Sequence, residues 1–76
     1  MRYHFHVVAG GEVMLDEEGC EMAEADLRAF ALQGARSLIM ADVRAGTLDL
    51  SGRIDVVDEY GRQVMVLPFR DAVELR

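Results

Sequence analysis

Lysine is missing from this chain of 76 residues, and all eight basic residues are arginines. Without lysine there can be no side-chain Schiff base and no phosphate-binding P-loop lysine. Cysteine is nearly missing as well. Cys20 stands alone, so an internal disulfide is impossible. No cluster of Cys and His has the spacing of a structural zinc site. Serine occurs only as Ser37 and Ser51, and neither sits in a Gly-x-Ser-x-Gly elbow. No apolar run approaches the length of a membrane span. The opening residues Met1 to His6 have no long apolar run behind them, so a secretory signal is not expected and a reducing, cytoplasmic location is. Basic charge is scarce and scattered against a net charge of −6. With no block of arginines to neutralise phosphates, direct nucleic-acid binding is disfavoured.

What remains is hydrocarbon: 51% of the residues are hydrophobic, enough for a packed core. The length fits a single domain over residues 1–76. A domain this small buries only about 60% of its unfolded surface and gains from a staple, such as a disulfide, a metal or oligomerisation. With the first two not evident, oligomerisation is the expected aid.

Tyr3 to Val8 alternates at a period of two, with Tyr3, Phe5 and Val7 on one side and His4, His6 and Val8 on the other. It reads as a strand. Gly10-Gly11 turns the chain into a short second strand, Glu12 to Leu15. After an acidic loop, Met22 to Gly46 reads as a helix starting near Met22 to Glu24. Gly46 suits the position just past its end. At about 100° per residue, Leu27, Phe30, Ala31, Gly34, Ala35, Leu38 and Ala41 make one broad face, and Leu32, Ile39 and Val43 a second row. One helix on one sheet needs a single apolar stripe, so the second row asks for another partner. Arg53 to Asp58 and Arg62 to Leu67 form a hairpin about Asp58-Glu59-Tyr60-Gly61, and Pro68 ends it. Phe69, Ala72 and Val73 have the spacing of a short helical turn. The order β-β-α-β-β predicts an α+β fold of two layers: a four-stranded antiparallel sheet with one long helix packed on one face. The last strand is apolar on both sides, Val64 and Val66 against Met65 and Leu67. The sheet is thus expected to have a second apolar face, to which Val8 and Val57 belong.

Few residues carry chemistry. His4 and His6 form an His-x-His on one strand face, a spacing at which two imidazoles can share a metal. A third ligand is not evident, and two ordinary histidines on a half-exposed sheet is the plainer reading. Asp16, Glu17, Glu18, Glu21, Glu24 and Asp26 crowd the approach to the helix. Counting from Asp16, the sixth position is Glu21 rather than the glycine of a calcium loop. The run reads as a solvated acidic segment favoured by the helix dipole, or as a surface for a basic partner. Cys20 is flanked by Glu18 and Glu21, which disfavour a thiolate. The Tyr3 and Phe5 rings, which could stack on single-stranded RNA, are expected in the core.

Four stretches nonetheless form a pattern: Arg2-Tyr3-His4-Phe5-His6-Val7, Asp16-Glu17-Glu18-Gly19, Ala35-Arg36-Ser37-Leu38, and Asp58-Glu59-Tyr60-Gly61-Arg62 with Leu67-Pro68-Phe69 after it. In order and spacing the chain resembles a family of small, uncharacterised proteobacterial proteins described only as a domain of unknown function. The likeness spans nearly the whole chain. Members often carry Asp-Gly after the first strand, where this chain has Ala9-Gly10. The resemblance implies no activity, cofactor or catalytic residue.

The leading expectation is a small cytoplasmic homodimer, an interaction or regulatory module more readily than an enzyme, with no cofactor and no membrane. Leu32, Ile39 and Val43 on the helix, or Met65 and Leu67 on the sheet, are the candidate contacts between copies. A second reading is an antitoxin-like or nucleic-acid-linked regulator that binds a basic partner protein. A third is a metal-dependent enzyme built on His4 and His6.

Overall fold

A computed structural model describes residues 1–74. Five strands and one long helix form two layers: β1 (Arg2–Ala9), β2 (Glu12–Met14), β3 (Cys20–Glu21), α1 (Leu27–Arg44), β4 (Arg53–Asp58) and β5 (Gln63–Pro68). The sheet order is β2-β1-β4-β5, and β3 also pairs with β1. Every pairing is antiparallel. The fold is therefore α+β, with one strand more than the alternation of the sequence indicates. β3 is only two residues long and pairs Arg2 with Glu21 and Tyr3 with Cys20. Two residues carry no periodicity, so only the pairing with β1 defines them.

β2 and β3 lie on the same edge of β1, one at each end. Between them the edge is closed by the loop containing Asp16. On the other side, β1 runs along the whole of β4, from Tyr3 opposite Asp58 to Val8 opposite Arg53. β4 and β5 pair from Arg53 opposite Pro68 to Val57 opposite Gln63, with an irregularity between Val56 and Val57. That bulge reflects one extra residue in β5.

The helix begins later than its composition suggests. Glu24–Asp26 form a 3-10 turn, and regular α-helix starts at Leu27. At the other end Gly46 takes φ +91°, its N–H donates to the Val43 carbonyl, and the Thr47 N–H donates to the Asp42 carbonyl at 2.9 Å. This pair of bonds is the Schellman arrangement, which satisfies the orphan carbonyls of the last turn.

The core lies between α1 and the face of the sheet carrying Tyr3, Ile54, Val56 and Leu67, all buried. From α1 it takes Leu27, Ala31, Ala35 and Ile39. These residues form an i, i+4 ridge, which drifts about 40° per step around a helix of 3.6 residues per turn. Ile39, expected in an outer row, is carried by this drift into the core at 6% exposure. A second 3-10 turn, Phe69–Ala72, closes the end of the core, as the spacing of Phe69 and Ala72 indicates. It is tied down by the Phe69 N–H to the Gly52 carbonyl and by Arg36 Nε to the Ala72 carbonyl at 2.7 Å. Gly52 is a site of close approach: a Cβ there would meet the Phe69 ring at 2.7 Å.

The two faces of β5 are the reverse of the expectation. Leu67 is completely buried and Met65 is half-buried against the core, while Val64 and Val66 are exposed. Alternation marks two apolar sides without saying which side meets the helix.

Candidate functional site

Asp16, at the turn between β2 and β3, ties that loop to β1 through both its side chain and its main chain. One carboxylate oxygen accepts the Phe5 N–H at 3.1 Å, and the other accepts the Gly19 N–H at 3.1 Å. The Asp16 side chain thus stands in for the missing strand between β2 and β3. Its main chain is equally engaged. The Asp16 N–H donates to His6 Nδ1 at 3.0 Å, and the Asp16 carbonyl lies 2.7 Å from His4 Nδ1. Because a carbonyl only accepts, His4 must carry a proton on Nδ1. Because an amide N–H only donates, His6 must leave Nδ1 bare and carry its proton on Nε2. The two imidazoles lie nearly parallel with ring centroids 6.1 Å apart, in opposite tautomers.

Gly19 completes this corner. It takes φ +71°, and a Cβ would meet the Tyr3 carbonyl oxygen at 2.8 Å and the His4 ring at 2.9 Å. The pair Asp16 and Gly19 is an Asp-loop-Gly turn whose side chain caps a backbone N–H three residues on. That signal was present in the sequence, within the acidic run. The structure disperses this run: Glu21 belongs to β3 and meets the N-terminal ammonium at 3.3 Å, while Glu24 and Asp26 occupy the first 3-10 turn.

His4, His6, Asp16, Glu17, Val57, Asp58 and Glu59 line an open hollow of about 400 Å³. Among the described residues, no group of three His, Cys, Asp or Glu side chains is placed to hold a metal ion. The Asp16 carboxylate, one of the hard ligands lining it, is occupied by backbone N–H groups. Through Nε2 the histidines offer one donor, on His6, and one acceptor, on His4.

A second carboxylate, this one buried, organises the β4–β5 hairpin. Asp58, 2% exposed, accepts the N–H groups of Tyr60 at 2.9 Å and Arg62 at 3.0 Å and the Arg62 Nε at 3.2 Å. The backbone hydrogen bond from Arg62 leads in holding its carboxyl below the usual carboxylate range, against the opposing effect of burial. Gly61 supplies the positive φ, +80°, that the turn needs.

The chain matches the model of a domain of unknown function, DUF6894, over residues 2–70. It belongs to the DUF6894 family. No curated protein and no solved structure matches it. In this DUF6894 chain Asp16 and Asp58 are turn-forming carboxylates, and the remaining features are surfaces.

Those surfaces include only some of the contact residues expected from the sequence. Ile39 and Leu67 are core residues, so they cannot face a second chain while the domain is folded. Leu32 and Met65 are half-buried and pack on the core from its edges. Val43 is 54% exposed, as expected of an outer row. The sequence reading placed Phe30 in the inner face, yet it is 45% exposed at the flank of α1, with its ring 4.8 Å from that of Phe5. Met40 is 58% exposed. The helix packs on β4, β5 and the C-terminal 3-10 turn. On the same face of the sheet, at the β2 edge, Met14 lies opposite Val7 and is 54% exposed. Across the other face run His4, His6, Val8, Val57 and Val66, together with an Arg53–Asp55 pair at 3.0 Å. No helix among the described residues is long and apolar enough to cross a membrane.

Proposed function

We propose that this chain is a self-associating interaction module that acts as a cytoplasmic homodimer. One observation carries the reading. A single helix is the only layer described over a five-stranded sheet, and Phe30, Met40, Val43, Val64 and Val66 stay between 41% and 58% exposed. A domain of this size has little core to spare, and these side chains are the ones whose burial against a second chain would add most. The unpaired cysteine agrees with a reducing compartment. Sedimentation velocity from low micromolar to about 1 mM, a range that captures weak dimers, tests the proposal. A concentration-dependent rise to twice the monomer mass supports it, and a monomer throughout contradicts it.

A further inference from the structure

The free side of α1, together with its N-cap residue Asp26, carries a regular seam. Asp26, Phe30, Gln33, Ser37, Met40 and Arg44 follow one another at alternating spacings of four and three residues. All six are exposed. This is the a/d spacing of a helix that packs lengthwise against another helix. It lies outside the buried ridge of Leu27, Ala31, Ala35 and Ile39, and of its six residues Phe30 also touches the monomer, through its ring contact with Phe5. Two hollows of about 400 and 250 Å³ follow one another along it, the first lined by Phe30, Gln33, Gly34 and Ser37 and the second by Ser37, Met40, Ala41 and Arg44.

The order of residue types along the seam identifies its occupant. We propose that α1 pairs antiparallel with α1 of a second copy of this chain, about a two-fold axis that crosses the outer side of the helix between Gln33 and Ser37, level with Ala35. This deepens the homodimer reading and rests on it. The axis sets Asp26 against Arg44 of the second copy, Phe30 against Met40, and Gln33 against Ser37. Each layer is complementary in its own way: an acid with a base, a ring with a thioether, an amide with a hydroxyl. In an antiparallel pair an a position meets a d position, and all three layers obey that rule. Because the axis is two-fold, every match occurs twice, as an isologous contact requires. A parallel arrangement would instead set Asp26 against Asp26 and Arg44 against Arg44. A helix of 18 residues spans about 27 Å, which is the length available to the contact. The seam's only two charges, Asp26 and Arg44, are opposite in sign and stand at its two ends, so the antiparallel pairing sets unlike charges together.

The test uses charge reversal in the full chain. Asp26→Arg and Arg44→Asp each turn both terminal layers into like-charge pairs. Each alone is expected to weaken the dimer at least tenfold at low salt. Mixing the two variants restores opposite charge in both layers, so an equimolar mixture is expected to form a heterodimer near wild-type strength. The double variant regains the homodimer. Circular dichroism confirms that each monomer is folded. Ser37→Arg gives a separate handle, since it places a better helix former on an exposed position and should abolish the dimer while leaving the fold intact. A wild-type dimer with no rescue on mixing, or one unaffected by Ser37→Arg, overturns the helix pairing and leaves the homodimer reading standing. A wild type that is monomeric throughout overturns both.

Discussion

Replacing Asp16 by alanine removes the carboxylate that spans the gap between β2 and β3. Two backbone N–H groups, of Phe5 and Gly19, lose their acceptor. Hydrogen bonds to a charged acceptor contribute about 1.5–3 kcal/mol each in buried settings, and less where water can replace the partner. Asp16 is half-buried, so each bond falls below that range at about 1 kcal/mol, and the two together are worth about 2 kcal/mol. For a domain of this length, 1 kcal/mol moves the melting temperature by about 4–8 °C, which makes the expected fall roughly 8–16 °C. Asp16→Asn keeps one oxygen acceptor and turns an NH₂ towards the other donor, so it should recover no more than about half of that loss. Thermal unfolding followed by circular dichroism reads the magnitude. Amide hydrogen exchange reads the location: the Phe5 and Gly19 amides should lose protection, while those of β4 and β5 fall only by the global change in stability. An Asp16→Ala melting temperature within 2 °C of wild type would refute the view that this side chain substitutes for a strand.

Other expected outcomes follow from the same contacts. Leu67→Ala should cost about 2–5 kcal/mol by urea unfolding, because Leu67 is wholly buried and the cavity cannot fill with water. Asp58 titrates below the normal range when folded, so the stability it supplies is complete above its unfolded value near 4 and disappears as pH falls through the folded value. The stability gap between wild type and Asp58→Asn should therefore narrow on acidification below about pH 4, and a gap constant with pH would contradict the assignment. Nitrogen-15 spectra of neutral protein should show His4 protonated at Nδ1 and His6 at Nε2, and matching tautomers in the two rings would refute the hydrogen bonds to Asp16.

Much of the architecture was legible because the physics behind it is local. The alternation in β1 and β4, the glycines at the tight turns and Gly46 past the helix each follow from side-chain direction or from a required positive φ. Three features were not legible, each for its own reason. β3 is fixed by two long-range pairs and has no pattern of its own. The start of α1 lies within an acidic segment where composition favours a helix end without marking a residue. The side of β5 that meets the helix depends on register, and Val64-Met65-Val66-Leu67 is apolar on both sides. That ambiguity put Leu67 among the expected contacts, and the drift of the i, i+4 ridge did the same for Ile39; both are core residues. Substituting Asp at Ile39 would therefore unfold the domain and reveal nothing about assembly. Of the candidate site, His4 and His6 were visible as a pair, while their link to Asp16 required the loop to fold back onto β1.

The central claim is that two copies of this domain meet through the outer side of α1. Analytical ultracentrifugation of wild type beside Ser37→Arg, over the same concentrations, tests it most directly. The account predicts a wild-type species of twice the 8.5 kDa chain mass and a folded, monomeric variant. Two indistinguishable profiles, whether both monomeric or both dimeric, would contradict it.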